Sequence, residues 1–118
     1  MKRFRFLNMQ PNLGGHPIML NKDRIREILR RQYPYLASEY GVRKIGLFGS
    51  YAKGSQTEKS DIDIVAEFER PIGLKFIEFT EYLEKILGKQ TDVLTPEGVR
   101  GIKIKKIAED IEKTIIYV

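Results

Sequence analysis

Apolar residues recur along this chain with two periods, and the alternation between them predicts its architecture. From residue 22 the spacing is helical: Ile25, Ile28, Leu29 and Leu36 share one face, while Arg24, Arg26, Arg30 and Arg31 fall outside it. Asn21 suits an N-cap, Pro34 predicts an interruption or kink, and Gly41 predicts the end of whatever follows. Residues 44–48 read as a short buried strand running into Gly49-Ser50, and residues 51–54 as one helical turn closed by a left-handed Gly54. Residues 61–68 alternate as a half-buried strand does, with Ile62 and Ile64 toward the core. A helical period returns over 74–87, where Phe76, Ile77, Phe79, Leu83, Ile86 and Leu87 are predicted to pack on the sheet and Gly88 to cap. Residues 89–96 read as a short strand closed by Pro96. A last helix is predicted over 99–113, with Ile104, Ile107, Ala108 and Ile111 inward, and 114–118 as a short strand or packed tail. The fold class is α/β (α+β): a small mixed β-sheet with helices packed on one face.

Residues 1–20 show no period and carry Pro11, Gly14, Gly15 and Pro17. They read as an extension, poorly ordered or an added strand, ahead of one domain at 21–118; Met19 is an alternative start. His16, the only histidine, falls here and is given no role. A chain of 118 residues supports one core but no second domain for holding a small acceptor. Any acceptor is therefore expected on another macromolecule.

The candidate chemistry sits where a strand meets a turn. A strand ending in Gly49-Ser50 at a helix start aims backbone N–H groups outward, which suits a triphosphate; Gly49 permits close approach and Ser50 adds a hydroxyl. Ten residues later come Asp61 and Asp63, at i and i+2 of the next strand and hence on one face. Two carboxylates that close repel each other unless a cation lies between them, and Mg²⁺, which prefers oxygen ligands shared with phosphates, is the natural occupant. Asp92 is the only acidic residue of 89–96. If its strand pairs beside that of Asp61 and Asp63, it completes a three-carboxylate site able to hold two Mg²⁺ ions.

Gly49-Ser50, ten intervening residues, Asp61-x-Asp63, a helix and Thr91-Asp92-Val93 together resemble the minimal nucleotidyltransferases of the DNA polymerase β-like superfamily. Within that group the chain is similar to the small MNT-domain antitoxins encoded beside HEPN-domain toxins, over residues 21–118. The resemblance implies a polymerase β-like core and an ATP- and Mg²⁺-dependent enzyme. It would transfer AMP to a tyrosine of its cognate HEPN-type toxin and so silence it. On this resemblance Gly49 and Ser50 match the nucleotide-binding turn, Asp61 and Asp63 the catalytic, metal-binding pair, and Asp92 the third metal ligand. Lys53 stands where arginine is more usual; it can neutralise phosphate as a point charge without the bidentate fork. The alternatives are a non-catalytic antitoxin that occludes its partner, or nucleotidyl transfer to RNA or a small molecule.

Charge narrows the partners further. The net charge is +5, but residues 22–53 hold eight basic and three acidic residues whereas 54–98 hold five basic and ten acidic. This dipolar pattern favours phosphate steering or docking of a partner protein over general nucleic-acid binding. The chain has no cysteine, no apolar run approaching a membrane span and no signal-peptide core in its first twenty residues, so the cytoplasm is the expected location.

Overall fold

A computed structural model describes residues 20–118, and the expectations for the extension, His16 and Met19 lie outside them. Helix α1 (Lys22–Tyr40) opens where the Asn21 side chain accepts the Arg24 backbone N–H at 2.8 Å and ends at Gly41 in left-handed backbone. Of the two outcomes expected at Pro34, interruption or kink, interruption does not occur. Pro34 and Arg30 are both exposed, so the turn that loses a hydrogen bond lies on the water side. Ile25 and Leu29 before the proline, and Leu36 and Tyr40 after it, stay buried in one core.

Strand β1 (Val42–Phe48) runs straight into α2 (Gly49–Lys53), followed by β2 (Ile62–Phe68), α3 (Lys75–Leu87) and β3 (Thr91–Leu94). The chain finishes with α4 (Pro96–Arg100), α5 (Lys105–Thr114) and β4 (Ile116–Tyr117). The sheet order is β3-β2-β1-β4. β1 is antiparallel to β2 and β4, while β2 and β3 are parallel, which makes the sheet mixed.

Alternation along the strands sorts the two faces. Ile45 and Leu47 of β1 and Ile62, Ile64 and Ala66 of β2 join the core with α1 and α3, including Phe79, Leu83 and Leu87. Asp63, Val65 and Glu67 take the opposite face. Val65 is nonetheless buried, because α4 packs on β2 there and its Val99 is buried as well.

The single helix expected over 99–113 is two. Gly101 closes α4 by donating to Glu97 O at 2.9 Å, Ile102 N reaches Val99 O at 3.1 Å, and the chain re-enters helix only at Lys105. With that break α5 buries Ala108 alone; Ile104 and Ile107, expected inward, are 61 % and 46 % exposed. Ile77 is likewise exposed rather than in the core. It lies toward the start of α3, where Phe79 is the first side chain fully buried.

Gly46 sets how closely β4 can approach. A Cβ there would stand 2.9 Å from Ile115 Cγ2, 3.0 Å from Tyr117 Cδ1 and 3.1 Å from the Ile116 carbonyl. Gly46→Val is expected to lift β4 from β1 and to lower stability by about 1–3 kcal/mol. A fall in denaturant midpoint with unchanged m-value checks this.

Candidate active site

The site is built from three strand ends and the turn between two of them. Phe48 is the last residue of β1 and lies directly across from Asp63 of β2. Gly49 follows with φ +74°, turning the backbone into α2, and no side chain caps the N-terminus of that helix. An added Cβ at Gly49 would fall 3.0 Å from Asp63 Cγ and against the Oδ2 oxygen. The turn and the carboxylate are therefore in direct apposition. Ser50 is half-buried beside them, and its carbonyl accepts the Ser55 N–H at 2.9 Å, which with the left-handed Gly54 closes the turn.

Asp61 sits one residue ahead of β2, tied in place where Ile62 N donates to Gln90 O at 3.0 Å. In the parallel β2–β3 register Asp63 is the direct neighbour of Asp92, at the spacing of adjacent strands, about 4.8 Å. Asp61, two residues back along the chain, and Asp92, one strand across, thus meet at Asp63 as a bent row with Asp63 at its corner. Lys53 is exposed at the end of α2, outside that row.

The electrostatics follow from this placement. Burial pushes the Asp63 carboxyl up from its ordinary 3.8 to about 6, and the charges of Asp92 and then Asp61 add to the shift. Asp63 is crowded on both sides by like charge in a partly desolvated position, and a cation relieves both terms. Among the described residues no three acidic or imidazole side chains close into a ready-made metal cage. The donor set is nonetheless all oxygen and open, which fits Mg²⁺, an ion that keeps waters and completes its shell from substrate phosphates.

This shift makes stability depend on pH. The folded value lies above the unfolded one, so between pH ~4 and ~6 the folded chain holds a proton the unfolded chain has released. Metal-free protein is therefore expected to lose stability as pH rises through that window and to recover it below. Because Asp63 is only half-buried, solvent trims the effect to a few degrees in Tm. Melting curves at about pH 4.5 and about pH 7 check it: Asp63→Asn flattens the difference, and Mg²⁺ raises Tm at the higher pH.

Two neighbours of the row escaped the sequence reading. Tyr51 is buried, and burial together with the Asp61 charge pushes its phenol up. Phe48 is buried opposite Asp63 and does not belong to the main core cluster. Strand alternation in 44–48 already separated Phe48 from Ile45 and Leu47, so its signal was present. A cavity of about 530 Å³ lies not over the carboxylates but between α1, the loop after α2 and the end of α3. Tyr51 is shared, lining that cavity while feeling the Asp61 charge.

Comparison with known proteins identifies the family and the fold. Residues 22–118 match the family described as nucleotidyltransferase domain. A protein adenylyltransferase of Thermococcus cleftensis named MntA is 40 % identical over 101 residues, spanning 85 % of this chain and 98 % of the relative. A solved structure provisionally described as a minimal nucleotidyltransferase superposes with a TM-score of 0.64 at 25 % identity, covering 85 % of this chain and 98 % of that one. A toxin–antitoxin crystal structure with AMP-PNP shares the fold at TM-score 0.55 and 23 % identity, over 83 % of this chain and 72 % of that one. The α/β chain with its mixed four-stranded sheet is a minimal nucleotidyltransferase, a member of the nucleotidyltransferase domain family.

Proposed function

We propose that this nucleotidyltransferase moves AMP from ATP onto a tyrosine hydroxyl of a partner toxin of the HEPN class, acting as its antitoxin in the cytoplasm. The observation that carries the reading is the carboxylate row against the Gly49 turn: Asp63 lies between Asp61 and Asp92 and touches the backbone that would receive a triphosphate. The protein acceptor is supported by the adenylyltransferase name of the 40 % identical relative, and ATP by the AMP-PNP in the toxin–antitoxin neighbour. The HEPN class and the tyrosine rest on the motif resemblance. Among the described residues no helix is long and apolar enough to cross a membrane.

In this reading the backbone N–H groups of Gly49 and Ser50 hold the triphosphate, and Lys53, exposed one turn on, answers its charge. Asp61, Asp63 and Asp92 would hold Mg²⁺, one or two ions, which when bound neutralises phosphate charge and lowers the pKa of the attacking hydroxyl. Asp92, the exposed member of the row, faces the incoming acceptor and with Asp63 orients its hydroxyl and takes up its proton. The acceptor oxygen attacks the α-phosphorus in line. The bond to the bridging oxygen breaks, and pyrophosphate leaves with that electron pair.

Covalent silencing and occlusion separate cleanly. Partner toxin treated with the chain, ATP and Mg²⁺, then repurified under denaturing conditions and refolded, is expected to remain inactive. Toxin carried through the same steps without ATP is expected to regain activity. Full recovery in both would mean the antitoxin works by covering its partner.

A further inference from the structure

Glu84, near the end of α3, is 4 % exposed, and the transfer chemistry above makes no use of it. Its neighbours Leu83 and Leu87 belong to the core, so a carboxyl group is held within the apolar layer where α3 packs on β3. A buried carboxyl group is costly unless its oxygens meet donors. One donor is the Thr91 N–H, which reaches Glu84 Oε2 at 3.1 Å. The Glu84 carbonyl also accepts the Gly88 N–H at 2.8 Å, where left-handed Gly88 ends the helix. One residue therefore holds both ends of the link, residues 88–90, that joins α3 to β3.

The Thr91 bond has a particular place in the sheet. β3 is an outer strand of four residues, paired among the described residues only with β2. Ile62 is the direct neighbour of Thr91, and its N–H goes to Gln90 O at 3.0 Å. In the parallel ladder Ile62 thus bonds the residues on either side of Thr91, and the Thr91 N–H points away from β2. It is an edge donor, yet Thr91 is only 3 % exposed. Glu84 supplies the acceptor that a further strand would have given. Asp92 comes next in the chain and is exposed, so its place beside Asp63 is set by the backbone that carries it rather than by packing. A slip of β3 by one residue would turn Asp92 to the core face and break the bent row.

We propose that Glu84 is a positioning residue: by accepting the Thr91 N–H it holds β3 in the register that sets Asp92 beside Asp63, and so governs how tightly the carboxylates hold a divalent cation. The proposal rests on the reading of Asp92 as a metal ligand. Glu84 acts from the core side of the sheet, through the backbone of β3, and touches neither nucleotide nor acceptor.

The test compares Glu84→Met, which keeps the length and removes the acceptor, with Glu84→Gln, which keeps an acceptor oxygen. Mn²⁺, a paramagnetic stand-in for Mg²⁺, is titrated into each protein with a non-hydrolysable ATP analogue present and followed by electron paramagnetic resonance. Glu84→Met is expected to weaken Mn²⁺ binding about tenfold, and Glu84→Gln to stay within about threefold of wild type. Asp92→Asn is expected to weaken binding as well, and adding Glu84→Met to it to change nothing more, because both act through one ligand. The kcat for transfer to the partner toxin follows the same order, with the KM for the toxin unchanged. A merely stabilising role would lower the Tm of Glu84→Met and leave the Mn²⁺ affinity of the folded protein intact, which overturns the proposal. Losses that multiply in the double variant, or a Glu84→Gln as weak as Glu84→Met, overturn it too. Should Glu84→Met not fold, Glu84→Asp withdraws the carboxyl group by one carbon; it is expected to weaken binding likewise, and wild-type affinity there overturns the proposal. Asp92→Asn with wild-type Mn²⁺ affinity would strike the metal-ligand reading and the proposal with it. The expected Mn²⁺ pattern without transfer to the toxin would uphold the role of Glu84 and strike only the protein-acceptor reading.

Discussion

Asp63→Asn is expected to reduce nucleotide transfer on the order of a thousandfold or more while leaving the fold as stable as before, or more so. The activity loss follows from position. Asp63 is the middle carboxylate, flanked by Asp92 in the parallel register and by Asp61 two residues earlier. Neutralising it removes the ligand common to any cation held with either neighbour, an electrostatic contribution of several kcal/mol to the transition state. The stability result has the opposite sign for the same reason. Burial and two like charges already press Asp63 toward its neutral form, and asparagine supplies that form with nearly the same shape. Single-turnover transfer to the partner, set beside a melting curve at neutral pH, checks both halves. A variant that loses activity by unfolding would fail the second half.

Gly49→Ala is expected to be the most damaging single-methyl change in the chain. Two effects combine there. The backbone is left-handed, which costs about 1–2 kcal/mol for any residue with a Cβ. The new methyl group would also collide with the Asp63 carboxylate and force it from its place in the row. A displacement of that kind lowers the rate by about a hundredfold. Gly41→Ala separates the two contributions, because Gly41 has φ +72° and nothing within 4 Å of the added atom. It is expected to lose a similar increment of stability with full transfer activity. Equal activity in the two variants would mean that the apposition of Gly49 and Asp63 has no bearing on the chemistry.

Much of this arrangement is written in short-range pattern. The alternation of Asp61, Ile62, Asp63 and Ile64 places the carboxylates opposite the core, where Ile62 and Ile64 are fully buried. The glycines at 41, 54 and 88 close their helices in left-handed backbone, as their positions after amphipathic runs predict. The adjacency of Asp92 and Asp63 follows from the sequence only if their strands pair, and strand pairing is a long-range choice that no local pattern determines. What local pattern misjudged depends on tertiary packing. Pro34 stays helical because buried residues on both sides anchor the helix. Ile104 and Ile107 have helical spacing but no partner element among the described residues deep enough to cover them, so periodicity overstated their burial.

The most direct measurement is the intact mass of the partner toxin after incubation with this protein, ATP and Mg²⁺. The account predicts an increase by one or more adenosine-monophosphate increments, on tyrosine, and no increase when Asp61→Asn replaces the wild-type protein. A toxin that is bound and inhibited by the wild-type protein yet unchanged in mass would contradict it.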